Sequence, residues 1–155
     1  MSNSNASRRV FLKVLGAGSV SLGATAVIGC GGDDPTEEPA SDVAAGNVSS
    51  LPEGTLRPVS GQPVAIGRDA GGVYAMTLIC THTQCDMRTD GTVAASGLVC
   101  SCHGSEFDGN GAVTKGPATK PLDHYAVEID AEGEMTIKPG SVVSADARTA
   151  VPTAA

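Results

Sequence analysis

The chain has 155 residues, with two phenylalanines, two tyrosines and no tryptophan, and a formal net charge of −7 at pH 7. This length allows one small domain, and so few large side chains leave a thin core that needs a further source of stability such as a crosslink or a metal. A negative chain without a lysine or arginine cluster beyond its N-terminus is not a nucleic-acid-binding protein, because that function needs a basic face.

The N-terminus has the features of an export signal. Paired arginines in "SRRVFLK", Ser7 to Lys13, precede an uncharged run from Val14 to Ile28, an order that resembles the twin-arginine signal. The run has about 15 residues, fewer than the roughly 20 of a membrane span. It ends in "VIGC", which resembles the lipobox of bacterial lipoproteins. We predict that residues 1–30 are a signal processed by lipidation at Cys30, the alternatives being an ordinary signal or a retained anchor.

Acidic, proline and small residues without apolar periodicity fill residues 31–50. Such a segment buries too little surface to offset its chain entropy, so we predict a disordered linker between the signal and a domain at residues 51–140. Residues 141–155 are rich in alanine, serine and threonine and are predicted to be a disordered tail.

Within the predicted domain the apolar residues repeat with a period of two, as in β-strands. "PVAIG" and "GVYAMTLIC" flank the turn-rich "RDAGG", which predicts a hairpin in which Gly71 and Gly72 supply unusual backbone angles. A second hairpin is predicted around "AEGE", with Tyr125, Val127 and Ile129 facing inward. No window has the pattern of an amphipathic helix, so the fold class is all-β.

Two short segments concentrate cysteine and histidine, "CTHTQC" at Cys80 to Cys85 and "CSCHGSEF" at Cys100 to Phe107. The chain has five cysteines, and if Cys30 carries lipid the remaining ones all lie in these segments with two of the three histidines. Thiolate and imidazole donors bind zinc, copper or iron–sulfur centres. A tetrahedral zinc site would accept these donors but would leave two of the cysteines without a role.

The pattern C-x-H-x17-C-x2-H closely resembles the Rieske family of [2Fe–2S] proteins, and the resemblance extends from about Val59 to Pro139. It implies a small antiparallel β-sandwich with two cluster-binding loops. One cluster per chain is implied, with two thiolates on one iron and two imidazoles on the other. The implied ligands are Cys80 and Cys100 on the first iron and His82 and His103 on the second.

The resemblance also assigns roles around the cluster. It pairs Cys85 with Cys102 in a disulfide that joins the loops, as in the high-potential members associated with quinol oxidation. Ser105 is implied to donate a hydrogen bond to a bridging sulfide. Gly116 and Pro117 are implied to belong to a proline-containing loop that covers the cluster.

Four positions depart from the pattern of the quinol-oxidising members. Phe107 stands where a tyrosine usually donates to a ligand thiolate, which predicts a lower potential. Thr83 and Gln84 replace the usual leucine and glycine, and Ser101 stands where proline is common. The more polar tip argues against quinol oxidation. Elsewhere, "HYAVEID" predicts a solvent-facing His124, and "FDGNG" predicts a turn at Asp108.

The sequence therefore indicates an exported, membrane-tethered one-electron carrier on the periplasmic side of a bacterial membrane, and not an enzyme on its own. It would serve a periplasmic oxidoreductase, resembling the small subunit of arsenite oxidase, with a cytochrome or a large subunit as redox partner. The alternative is the Rieske subunit of a bc-type complex, with quinol as a partner. An alternative of another class is a structural zinc or disulfide module that binds a protein.

Overall fold

The computed structural model describes residues 41–152, and the predictions for residues 1–40, including lipidation of Cys30, lie outside the described residues. The described chain is all-β, as predicted, with one 3₁₀ turn at Val48–Ser50. Among residues 41–152 no helix has the length and apolar character needed to cross a membrane. The strands are β1 (Val43–Asn47), β2 (Thr55–Pro58), β3 (Val64–Asp69), β4 (Gly72–Thr77), β5 (Gly91–Ala94), β6 (Gly97–Cys100), β7 (Ser105–Phe107), β8 (Val113–Lys115), β9 (His124–Ile129) and β10 (Glu134–Val143).

The strands form two antiparallel sheets. The larger sheet has six strands in the order β1-β10-β9-β4-β3-β2, and the smaller has four in the order β5-β6-β7-β8. The smaller sheet is built entirely from the chain between β4 and β9, which pair with each other in the larger sheet. The two cysteine and histidine loops lie in this inserted segment, one after β4 and one between β6 and β7.

Two hydrophobic cores lie on opposite faces of β4, which is buried along its whole length. Val73 and Ala75 face a core formed mainly by side chains of the larger sheet. Tyr74 and Met76 face a second core beneath the smaller sheet, which also contains the two loop cysteines Cys80 and Cys100. The alternation of a strand thus fills both cores, because both of its faces are covered by protein.

Both predicted hairpins are present. In the β3–β4 turn Gly72 has a φ of 131°, whereas Gly71 is not in the positive-φ region and instead donates its N–H to Asp69 Oδ1 at 2.8 Å. The prediction of unusual angles was therefore right for Gly72 and wrong for Gly71. In the second hairpin Tyr125 and Val127 are buried, as predicted from the alternation, and Ile129 is partly buried against the first core.

The predicted linker extends too far into the domain. Residues 43–50 form β1 and the 3₁₀ turn, and Val43 pairs with Ile137 at the edge of the larger sheet. Val43 and Ala45 are buried in the first core. Two buried apolar positions on a five-residue edge strand give too short an alternation to be recognised without the partner strand.

The predicted tail also differs. β10 continues to Val143, and residues 144–151, the C-terminal strap, run back over the larger sheet. Thr149 exchanges backbone hydrogen bonds of 2.9 and 2.8 Å with Val73, and Val151 packs against the first core. The close approach needs Gly72, because a Cβ there would lie 2.4 Å from Thr149 O. Small side chains in the strap reflect this close packing rather than disorder.

His124 is buried, with 2% of its surface exposed, so the prediction that it faces solvent is wrong. Its ring stacks against Tyr74 with centroids 6.0 Å apart, and Nε2 lies 3.0 Å from Asn110 O. Nδ1 has no hydrogen-bond partner among residues 41–152. The prediction assumed that one face of β9 is exposed to solvent, but the turn after β7 covers that face.

Protein stability is expected to fall below about pH 6.5 because of His124. Burial lowers the pKa of this imidazole, and the positive charge of Arg148 lowers it further. The hydrogen bond with Asn110 and the carboxylates of Asp123 and Asp146 raise the pKa, but the net shift is downward. Below pH 6.5 the unfolded chain binds a proton that the folded chain resists, and the loss approaches about 1.4 kcal/mol per pH unit until the folded pKa is reached. Urea unfolding at pH 7.5, 6.5 and 5.5 measures the loss. A His124→Gln variant should lose less stability over this range, and an equal loss in both proteins would contradict the assignment.

Candidate metal centre

The first loop is closed by backbone hydrogen bonds at its base. Cys80 N donates to Cys85 O at 2.8 Å, and Gln84 N donates to Cys80 O at 3.0 Å. Gln84 has a φ of 62°, a left-handed conformation that favours glycine, the residue the resemblance predicts at this position. The loop thus keeps a glycine-type turn while presenting a polar amide.

The second loop connects β6 to β7. Cys100 ends β6 and Ser105 begins β7, and Gly104 N donates to Cys100 O at 2.9 Å to close the loop. Gly104 has a φ of 77°, which permits this tight return. The loop therefore directs consecutive side chains in different directions, with Cys100 buried and His103 exposed.

The four loop cysteines fall into two pairs. Cys85 and Cys102 form a disulfide between the loops, which confirms the pairing that the resemblance implies. Cys80 and Cys100 are free thiols, each only 1% exposed. Burial raises the pKa of the Cys100 thiol, and the neighbouring Cys80 thiol raises it further. Both free thiols belong to the second core, so they lie in an apolar site.

The two loop imidazoles lie on the outer surface. His82 and His103 are both exposed, with ring centroids 4.8 Å apart and the rings edge to face. Thr83 Oγ1 shares a hydrogen bond of 3.2 Å with His103 Nδ1. The sequence predicts for Thr83 only that it makes the tip of the first loop more polar. Its contact with the other loop could not be predicted without the relative placement of the loops.

A third segment, residues 116–121, lies against both loops. Ala118 N donates to Ser105 Oγ at 3.0 Å, and Thr81 Oγ1 donates to Lys120 O at 2.7 Å. Ser105 is fully buried, and because its oxygen accepts from Ala118, its hydroxyl proton is available for another acceptor. Sequence reasoning identified Ser105 but not its link to this segment, because a backbone donor carries no residue signature.

Gly116 and Pro117 are exposed and are joined by a cis peptide bond at the start of the same segment. Phe107 lies on the opposite side, 2% exposed, in the second core with Cys80 and Cys100. Asp108 forms the predicted turn, its Oδ1 accepting from Asn110 N and Ala112 N at 2.9 Å each.

The donors fit a two-iron cluster with unlike ends. Among the described residues, one group of three cysteine sulfurs lies within 4.8 Å, that of Cys85, Cys100 and Cys102, and two of these form the disulfide and cannot act as thiolates. A two-iron cluster distributes its donors around two centres, so all four need not meet at one point. A pair of buried thiols and a pair of exposed imidazoles supply the two kinds of ligand that the two irons of such a cluster need.

An all-β fold that presents two free thiols and two imidazoles on crosslinked loops defines a mixed thiolate and imidazole metal protein. Residues 41–126 match the family model described as Rieske [2Fe-2S] domain, which is more than half of the chain. The chain belongs to this Rieske family.

Relatives among known proteins support the assignment. The cytochrome b6-f complex iron-sulfur subunit of Synechococcus sp. (strain CC9605) is 32% identical over 148 residues, covering 82% of this chain and 81% of the relative. The subunit of that name from Chlorobaculum tepidum is 31% identical over 98 residues, 62% of this chain, and the match spans only 52% of that relative.

Solved structures are also similar to this chain. The ferredoxin of carbazole 1,9a-dioxygenase from Nocardioides aromaticivorans IC177 has 29% identity and a TM-score of 0.45, covering 64% of this chain and 99% of that one. The plasma membrane Rieske protein of Synechocystis PCC 6803 has 27% identity and a TM-score of 0.46, covering 62% and 98%.

Family membership establishes the general function. The chain binds a [2Fe–2S] cluster and transfers single electrons, and it is an electron carrier rather than an enzyme. The alternative of a structural zinc module receives no support from this family match.

Proposed function

We propose that Cys80 and Cys100 bind one iron of the cluster and that His82 and His103 bind the other. The burial of the two free thiols and the exposure of both imidazoles support this division. When bound, the cluster supplies a one-electron couple whose mixed ligands place its potential at about −150 to +300 mV. The buried sulfur end is insulated from solvent, and the imidazole end provides the surface at which a partner is reached.

Within this arrangement Ser105 and Phe107 set the environment of the sulfur end. The Ser105 hydroxyl oxygen accepts a hydrogen bond from Ala118 N, which leaves its proton free to donate to the cluster. Phe107 fills the core beside Cys80 and Cys100 without offering a donor. The negative charge added when the cluster is reduced is therefore stabilised by fewer hydrogen bonds than in family members that have a tyrosine at this position.

Replacing Phe107 with tyrosine is expected to raise the midpoint potential by about 60 mV. A hydrogen bond to a charged acceptor contributes roughly 1.5 kcal/mol, and a one-electron couple converts this to about that shift. Protein film voltammetry of the purified chain measures it. A Phe107→Leu variant changes the packing without adding a donor and should not show the rise. An unchanged midpoint in Phe107→Tyr would show that the missing hydroxyl does not set the potential.

The partner is proposed to be a periplasmic oxidoreductase, with this chain as its small subunit or loose carrier, similar to the small subunit of arsenite oxidase. The observation that carries this choice is the polar tip of the first loop. Thr83 and Gln84 are both exposed next to His82, where an apolar docking face for quinol would need leucine and glycine. A polar tip suits a protein partner that binds and releases repeatedly.

A second candidate is the Rieske subunit of a quinol-oxidising cytochrome complex. The names of the relatives favour it, since the Synechococcus protein is an iron-sulfur subunit of the cytochrome b6-f complex. The disulfide between the loops, which the resemblance associates with the high-potential members, is consistent with this candidate as well.

Isolation of the chain from native membranes with its bound partners separates the two candidates. Co-purification with a large oxidoreductase subunit, without quinol-dependent cytochrome reduction, is expected. Co-purification with a b-type cytochrome and quinol-dependent reduction of a c-type cytochrome would establish the second candidate instead. The variant Thr83→Leu makes the tip more apolar and should favour quinol contact, but it also removes the hydrogen bond that Thr83 shares with the proposed ligand His103.

The chain is further proposed to be exported by the twin-arginine route and held on the periplasmic side of a membrane by lipid on Cys30. The paired arginines before an uncharged run and the "VIGC" sequence support this proposal. Mass spectrometry of the mature protein is expected to find a lipidated N-terminal cysteine, and a Cys30→Ser variant should be released from membranes. A mature protein that retains Met1 would contradict it.

A further inference from the structure

The turn between β7 and β8, Asp108–Gly111, is the junction between the smaller and the larger sheet. We call it the junction turn. Backbone groups of three consecutive residues in it receive hydrogen bonds from the larger sheet or from the segment leading into it. These contacts join Tyr74 Oη to Gly109 O (3.1 Å), His124 Nε2 to Asn110 O (3.0 Å) and Leu122 N to Gly111 O (2.9 Å).

Arg148 of the C-terminal strap adds a contact from the other side. Its Nη2 donates to Asn110 Oδ1 at 2.8 Å, and its Nε donates to Asp69 Oδ2 at 2.7 Å. The guanidinium carbon lies 4.2 Å from the centre of the Tyr74 ring. One planar cation thus bridges the junction turn to the β3–β4 turn of the larger sheet while it lies over an aromatic face.

The strap holds this guanidinium in place. Arg148 Nη1 donates to Ala145 O at 2.8 Å and to Ala147 O at 2.9 Å, and the side chain is only 16% exposed. Thr149 pairs with Val73 through two backbone hydrogen bonds and donates through Oγ1 to Val127 O at 2.6 Å. Both ends of the bridge are therefore fixed, which distinguishes Arg148 from an ordinary exposed ion pair.

The bridge connects to the metal centre through β7. That strand has only three residues, Ser105–Phe107, between the second loop and the junction turn. Ser105 in turn accepts the hydrogen bond from Ala118 of the segment that lies over both loops. A short strand held at both ends moves as one piece, so a shift of the junction turn displaces Ser105 and the adjoining second loop.

We infer that Arg148 is a positioning residue, which fixes the second loop and the Ser105 hydroxyl by clamping the junction turn to the larger sheet. The effect on the cluster rests on the proposed ligand set, whereas the clamping of β7 does not. The C-terminal strap, which the sequence suggests is a loose tail, is on this view part of the support of the redox site.

The test compares Arg148→Met with Lys138→Met in the cluster-loaded protein. Lys138 also carries a paired cation, bound to Asp42 and Glu128, and is the matched control for loss of charge. In Arg148→Met the amide protons of residues 105–107 are expected to exchange about tenfold faster. The paramagnetic resonance lines of the reduced cluster should broaden, and its midpoint potential should fall. Lys138→Met should leave all three unchanged.

Two further variants keep the inference testable if Arg148→Met does not fold. Arg148→Lys keeps the charge but lacks the planar fork, and Asn110→Ala removes the acceptor on the junction turn. Both should show faster exchange in β7 and broadened resonance lines. Wild-type exchange and spectra in these variants would overturn the inference, as would a loss of stability in Arg148→Met that leaves β7 exchange unaffected. Faster exchange with an unchanged spectrum would overturn only the link to the proposed ligand set.

Discussion

Replacing Cys100 with serine is expected to abolish cluster binding. Cys100 is buried in the second core beside Cys80, and a serine there offers a hard oxygen donor of high pKa in place of a thiolate. The hydroxyl would also be left in an apolar site. Purified protein should be colourless, contain no iron by metal analysis and show no rhombic resonance signal after reduction.

The neighbouring residue supplies the control for this loss. Ser101 is exposed in the same loop and is not a proposed ligand, so Ser101→Ala should retain a full complement of iron. Retention of two irons and an unaltered spectrum in Cys100→Ser would show that the proposed set of ligands is wrong. Loss of iron in Cys100→Ser together with Cys80→Ser, but not in Ser101→Ala, would support it.

Removing the disulfide with a Cys85→Ser, Cys102→Ser double variant should lower the free energy of unfolding by about 2–4 kcal/mol. The bond joins residues 17 apart, and its loss frees the unfolded chain from that closed loop. A small domain with a thin core has little stability to spare. Urea unfolding measured by circular dichroism gives the free energy, and iron content followed over hours gives the rate of cluster loss, which should increase.

Thr83→Val is the matched control for this variant. It removes another direct contact between the loops, the hydrogen bond between Thr83 and His103, and should cost only about 0.5–1.5 kcal/mol. If the double variant lost no more stability than Thr83→Val and kept its cluster as long as the wild type, the crosslink would not be a main support of the site.

Local patterns explain what the sequence could predict. The alternation of Tyr125 and Val127 and the glycine at position 72 identify the hairpins, because strand period and turn chemistry are encoded within a few residues. The loop cysteines and histidines are as informative, since donor types at fixed spacing leave few chemical alternatives. The disulfide followed from the family resemblance alone, and the structure contains it.

The remainder depends on contacts between distant segments. His124 was predicted to face solvent because its own strand does not show that the junction turn covers it. Arg148 has no helix, motif or charge run around it, and its role is apparent only when Asp69, Tyr74 and Asn110 are brought together from separate parts of the chain. β1 is too short to be recognised apart from β10.

The way in which the smaller sheet joins the larger one has an evolutionary consequence. Because β4 and β9 are paired neighbours in the larger sheet, the segment that forms the smaller sheet begins and ends at adjacent points. The entropy cost of closing such a segment changes only slowly when residues are inserted into it or deleted from it. Changes in the segment between β4 and β9 can therefore alter the choice of partner and the redox potential during evolution, while the larger sheet that supports this segment stays the same.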